Sequence, residues 1–355
     1  MRVIPPVEVT PAKLVSSTAA ATHDPAEYSS GTTYGVGAIV KVTADYAIYE
    51  SLQGSNSGNT PATSRLWWRK IGATEDAYNA GTTYSAAATV AFNNRCYESL
   101  QDSNTGNTPP IFPERQTEWW LDVGPVNRWA MFDLSRNTQT VVNGDLTVVF
   151  APGERVNAIG ITGMKANTVT ITVTSVLGGG TVYGPLIIDL NTREVSDGYD
   201  FCFEPFSTLP SAVRFNLPPF SDAQITVTFS SNTGNTKCGA IVVGNGVYLG
   251  SLEYQATNAA LNFSTIERDL YGTATLVQRR SLPKTTNTLY LPTARVNKAI
   301  AARTQLNAVP AFWAGLDETS NGYFEMTLIL GIYTRFEINA DSINQAKISL
   351  DLEEL

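Results

Sequence analysis

One histidine, His23, is all that this 355-residue chain offers as an imidazole base. A Ser/His/Asp triad would have to be built on it, and no Gly-x-Ser-x-Gly elbow is present to expose a serine. Metal sites made of several His or Cys ligands are excluded by count. The three cysteines, Cys96, Cys202 and Cys238, are far apart and odd in number, and read as buried thiols and not as a disulfide framework. Carboxylates are the remaining resource. A glycosidase needs only two, so Glu50, Glu98, Asp102, Asp133 and Asp200 keep that chemistry formally open. Glu50 and Glu98, however, are equivalent positions of a repeat, and each is expected to bond within its own sheet. Gly244-Asn-Gly246 is followed by apolar strand residues and not by a helix, which argues against a nucleotide loop. The expectation is a protein that is not an enzyme and carries no cofactor and no metal.

What recurs instead is a set of aromatic and amide side chains. Tyr49-Glu-Ser-Leu-Gln-Gly-Ser-Asn-Ser-Gly-Asn-Thr-Pro61 returns as Tyr97-Glu-Ser-Leu-Gln-Asp-Ser-Asn-Thr-Gly-Asn-Thr-Pro109, with eleven of thirteen positions identical. Each copy leads to a tryptophan pair, Trp67-Trp68 and Trp119-Trp120, and each is preceded by a Gly-Thr-Thr-Tyr, ending at Tyr34 and Tyr84. This is a tandem duplication of a unit of about fifty residues. Length differences between the copies fall at Thr43–Tyr46 against Asn93-Asn94, which reads as a hairpin turn, and before the tryptophans, which reads as a loop. Each unit is expected to be a hairpin, a polar loop and a last strand bearing the pair. Adjacent strand residues face opposite ways, so one Trp of each pair belongs to a core and the other faces out. An apolar ring beside amides suits a sugar. The candidate contacts are Trp67, Trp68, Trp119, Trp120, Tyr34, Tyr84, Tyr49, Tyr97, Asn59 and Asn107.

The order Tyr28, Gly-Thr-Thr-Tyr34, hairpin, Tyr49-Glu-Ser-Leu, Asn-x-Gly-Asn-Thr-Pro61, Trp67-Trp68, and its second copy, resembles the small chitin-type carbohydrate-binding modules of families 5 and 12, in the tandem form found on bacteriophage tail proteins. The opening Met1-Arg-Val-Ile-Pro-Pro-Val7 and the junction Asp122–Asp133 are also similar to a class of tail virion proteins. Many such modules open with Trp where this chain has Tyr28 and Tyr78. The resemblance implies a tail or baseplate protein made in the host cytoplasm and resident in the virion. Its implied partners are other tail proteins, further copies of itself and a host-surface polysaccharide. The alternative is a purely structural tail protein whose modules dock other virion proteins and bind no sugar.

The rest of the chain must position these modules. Charged residues make up only 16%, and no long amphipathic helix stands out, which predicts a mainly β protein rich in turns. A net charge of −8 without a basic patch argues against nucleic acid. No stretch is apolar enough for an export signal or a membrane span. Residues 1–22, broken by prolines, read as an extended N-terminal arm, 23–74 and 75–124 as the modules, and 125–250 as a β-sandwich of jelly-roll or galactose-binding type. Its strands are expected at Leu146–Phe150, Val156–Ile161, Thr168–Thr174, Leu186–Leu190, Tyr199–Phe203, Ala212–Leu217, Ala223–Phe229 and Gly239–Val243. Residues 251–355 read as an α+β region for assembly contacts. Its one helix runs over Thr293–Ala308, capped by Thr293, with Val296, Ala299, Ile300 and Leu306 on one side.

Overall fold

In the computed structural model, residues 1–19, 27–42, 47–73, 76–111, 114–192, 196–232, 234–268, 274–277, 281–318 and 321–354 are described. His23, the turn Thr43–Tyr46, the junction Thr74-Glu75 and Arg279-Arg280 lie outside them. The fold is mainly β and its sheets are almost wholly antiparallel. No described helix is long and apolar enough to cross a membrane.

The body is a stack of layers. The outermost sheet runs in the order Gly180–Asp189, Thr168–Ser175, Ala223–Ser230, Leu146–Phe150, Leu14–Ser17. Alternation of apolar and hydroxylic residues makes these strands one-sided: Val169, Ile171 and Val173 are buried and the threonines between them are half-exposed. Their apolar face meets a three-stranded sheet of Ala212–Phe215, Ala158–Thr162 and Ala240–Gly244, where Ile159, Ile161, Ile241 and Val243 complete the core.

Ala158–Thr162 and Ala240–Gly244 are buried at every position, because their second face is covered as well. On that side Ala158, Val213 and Val242 pack on Ile4, Phe312, Leu328 and Leu330 of a large C-terminal sheet. Gly160 makes the approach possible, since a Cβ there would stand 2.6 Å from the Phe312 ring. The C-terminal sheet contains Ala311–Ala314, Leu328–Ala340, Gln345–Glu354 and Ser281–Pro292. Its far face, with Trp313, Ile329, Leu289 and Leu350, is closed by the helix Val296–Gln305 through Ala299, Ala302 and Leu306.

Four expectations are corrected. Residues 1–19 are not a separate arm: Arg2–Ile4 pairs with Ala311–Ala314 and Leu14–Ser17 with Leu146–Phe150, so Val3 and Ile4 are fully buried. The modules are therefore an insertion between body strands and not an N-terminal appendage. Tyr199–Phe203 is a short helix, Gly198–Phe203, because the Asp197 side chain caps it by accepting the Asp200 N–H. Thr293 does not cap its helix; its hydroxyl donates to the Ile343 carbonyl. Ile300 is 40% exposed, and Ala302 takes the inward place.

Candidate functional site

Each module is built on three antiparallel strands, Ile39–Val42, Ala47–Ser51 and Trp68–Ala73 in the first, Thr89–Phe92, Arg95–Ser99 and Trp120–Pro125 in the second, where Asp76–Ala77 adds a short parallel strand at the edge. The second hairpin turns at Asn93-Asn94, both at positive φ (47° and 64°), which asparagine tolerates and the twist of the strands favours. Register decides which tryptophan goes inside. Trp68 lies opposite Ser51 and Trp120 opposite Ser99, facing Val40 with Tyr49 and Val90 with Tyr97.

The two aromatic clusters are built alike. Tyr28 and Tyr34 stack at 5.8 Å and 26°, Tyr78 and Tyr84 at 6.0 Å and 25°. Tyr34 meets Trp68 edge-on at 5.2 Å, and Tyr84 meets Trp120 at 5.4 Å. Such edge contacts suit the charge distribution of the rings. The Tyr28 and Tyr78 hydroxyls are enclosed without a hydrogen-bond partner among the described residues.

The polar residues of the repeated motif are spent on the loop. Asn56 Nδ2 donates to Ser51 Oγ and Asn104 Nδ2 to Ser99 Oγ, both at 2.9 Å. Asn59 Nδ2 donates to Asn56 Oδ1 and Asn107 Nδ2 to Asn104 Oδ1, again at 2.9 Å. The carbonyls of Asn59 and Asn107 accept the indole N–H of Trp68 and Trp120 at 2.8 and 2.7 Å. Gln53 and Gln101 reach the carbonyls of Leu66 and Glu118. The buried hubs Asn56 and Asn104 were not among the residues singled out from the sequence, although their identity in both copies was the available signal.

Four of the ten candidate contacts are thereby corrected. Trp68, Trp120, Tyr49 and Tyr97 are 2%, 0%, 8% and 0% exposed and have no open face for a ligand. Trp67, Trp119, Tyr34 and Tyr84 are half-buried at the rim of the same clusters, and Asn59 and Asn107 are half-buried beside them. The Tyr34 hydroxyl accepts the Ser29 N–H and that of Tyr84 the Asn79 N–H, each at 2.8 Å, which fixes both rings.

The carboxylates have local duties. Glu50 Oε2 accepts from Arg69 at 2.7 Å and lies 3.5 Å from Lys237 Nζ of the sandwich. Burial works to raise its pKa, but the Arg69 hydrogen bond and the charges of Lys237 and Arg69 outweigh it and hold the carboxyl below the usual glutamate range. Asn235, two residues before Lys237, donates to the Gly37 carbonyl, so the first module is seated on the strand Asn235–Cys238. Asp102 accepts the Ala86 N–H, and Asp200 accepts from Ser196. At the second module Arg95 pairs with Asp122 at 2.8 Å, and Val126 N–H donates to the Asn94 carbonyl. Nearby, burial pushes Asp133 up to about 6 despite bonds from Thr138 and the Ser135 N–H. Of the cysteines, Cys96 and Cys238 are buried as expected; Cys202 is exposed, because the helix that carries it buries nothing.

No family model matches the chain, and no curated protein matches it.

Proposed function

We propose that this chain is a virion protein of a bacteriophage tail or baseplate that holds two aromatic modules toward host-surface glycan and acts by binding, without catalysis. The observation that carries this reading is the recurrence of one aromatic cluster in two modules fixed to a common body, each with a tryptophan left half-open at its rim, Trp67 and Trp119. The sugar would lie on those rings and on Tyr34 and Tyr84, within reach of Asn59 and Asn107. Two weak sites held on one chain raise effective affinity without any new contact.

The test is a glycan array probed with the full chain and with its Trp67→Ala/Trp119→Ala variant. A loss of at least about tenfold is expected, since each ring contributes on the order of 1 kcal/mol or more to a stacked contact. Unchanged binding removes these residues from the sugar site.

One observation favours the docking alternative. The motif amides shared by the two copies, those of Asn56, Asn59 and Gln53 and of Asn104, Asn107 and Gln101, are all bonded within their own module, so the fold alone accounts for their recurrence. On that reading no array glycan binds the wild-type chain, and the same variant fails to be incorporated into particles.

A further inference from the structure

A cavity of about 360 Å³ opens where the sandwich, the C-terminal sheet and the loop 133–139 meet. Small-molecule sites run from about 300 to 1,000 Å³, so it has the volume of one. The sandwich side gives Met164 and Pro210, the C-terminal sheet gives Pro283 and Glu354, and the loop gives Arg136 and Gln139. All of its lining residues belong to the body. The loop is held in place: the Asp133 carboxylate accepts the Ser135 N–H at 2.9 Å and the Thr138 hydroxyl, and Gln139 Nε2 donates to the Gly163 carbonyl at 3.0 Å. It lies so close to the sandwich that a Cβ on Gly239 would stand 2.9 Å from the Arg136 carbonyl, and one on Gly163 3.2 Å. Arg136 therefore reaches its neighbours from a fixed backbone.

Its guanidinium stands between two carboxylates, with Nη2 3.6 Å from Glu325 Oε2 and Nη1 3.8 Å from Glu354 Oε2. Both separations attract charge to charge but exceed a hydrogen bond, so the N–H donors are left to offer. Glu354 is 5% exposed, and Glu325 Oε1 is enclosed without a hydrogen-bond partner among the described residues. Burial raises the Glu325 carboxyl above the usual glutamate range, against the pull of Arg136 and of the Ser211 hydroxyl. A buried charged group that is not fully bonded disfavours the fold unless something completes its bonding.

These walls choose among ligand classes. A simple anion would meet Glu354 and Glu325, and a simple cation would meet Arg136. A hydroxyl accepts from a guanidinium while it donates to a carboxylate, so it suits both at once. The Gln139 amide, its Nε2 committed to Gly163, has its oxygen left as a further acceptor. Met164, Pro210 and Pro283 supply apolar walls for the carbon–hydrogen face of a ring. We propose that this cavity binds a neutral sugar unit, whose adjacent hydroxyls bridge Arg136 and Glu354. The site is separate from the module rims and does not rest on their binding sugar.

The test titrates the full chain with glucose, galactose, mannose, N-acetylglucosamine and lactose by ligand-observed NMR, beside its Ser281→Trp variant. Ser281 is exposed on the cavity wall, two residues from Pro283 and on the same face of the strand, so an indole there fills the cavity and removes no buried group. Arg136→Lys is the second variant; it keeps the charge and loses the planar fork. Circular dichroism melts verify that each chain is folded. All three chains are also read in a Trp67→Ala/Trp119→Ala background, which takes away the module rims. At least one sugar should bind the wild type in the millimolar range or tighter, persist in that background, and weaken by about tenfold or more in Ser281→Trp and in Arg136→Lys. No binding by any of the five sugars, or binding untouched in either cavity variant, would overturn the proposal. So would tighter binding of inorganic phosphate, which would give the cavity to an anion. Binding abolished by the module substitutions alone would overturn it too, while leaving the module reading in place.

Discussion

Tyr28, Tyr34 and Trp68 of the first module meet at nearly the same distances and angles as Tyr78, Tyr84 and Trp120 of the second, while the charges around them have been exchanged. Where the first module sets Arg69 across from Glu50, the second sets Leu121 across from Glu98. Where the second pairs Arg95 with Asp122, the first has Ala47 and Lys70. The loop before the tryptophans differs too: Trp67 and Trp68 donate their backbone N–H to the Ser64 carbonyl, whereas Trp119 and Trp120 donate to the Thr117 hydroxyl. The core is what a fifty-residue sheet cannot change and still fold. The rim charges are free to adapt to what each copy touches, and only the first copy faces Lys237 of the sandwich.

The strongest test of that shared core is Trp68→Ala set beside Trp120→Ala. Each should cost about 3–5 kcal/mol, as for other buried aromatic truncations, and each should unfold its own module first in hydrogen exchange. Costs that differ by more than about 2 kcal/mol would break the equivalence. Next comes Glu50→Gln against Glu98→Gln. Removing the Glu50 charge leaves Lys237 without its partner and should weaken the first module's seat by about 2 kcal/mol. Glu98 has no ion pair among the described residues, and its change should stay within about 0.5 kcal/mol in chemical denaturation.

The two seats also differ in pH dependence, and the effect has opposite sense at each. Asp133, beside the second module, has a folded pKa of about 6 against 3.8 for the ordinary carboxyl, so between these values the folded chain holds a proton that the unfolded chain has lost. Its contribution is fully present below pH 3.8 and is lost as pH rises through 6, with a slope of at most ~1.4 kcal/mol per pH unit. Glu50 lies below its ordinary 4.5, so its contribution is present above that value and is lost as pH falls through its lower folded pKa. Melting curves from pH 3 to 7 should show the first slope vanish in Asp133→Asn and the second in Glu50→Gln.

Much of the architecture could be read from residue patterns. Thr168-Val-Thr-Ile-Thr-Val-Thr174 and Ala223–Phe229 alternate because one face is buried, and both are strands with the apolar side inward. The duplicated motif marked two sheets, and Asn93-Asn94 marked a turn. Alternation alone misled at Tyr199–Phe203, where the local cap from Asp197 wins and the segment closes as a helix that buries none of its residues. Which tryptophan is inside each module could not be read, since the answer depends on whether residue 68 or 67 falls opposite Ser51. The strands of residues 1–19 were missed because their partners begin more than a hundred positions away, beyond any local pattern.

That last feature sets a timetable for synthesis. Arg2–Ile4 takes its place between Val247-Tyr248 and Ala311–Ala314. At about 5–20 residues per second, its later neighbour leaves the ribosome on the order of 15–60 s after it. The two modules emerge in between with all their strand partners nearby, so they can mature while Val3 and Ile4 still wait. A chain whose translation stops short of Ala311 would carry finished modules on an open body, with its first strand left for chaperones to shield.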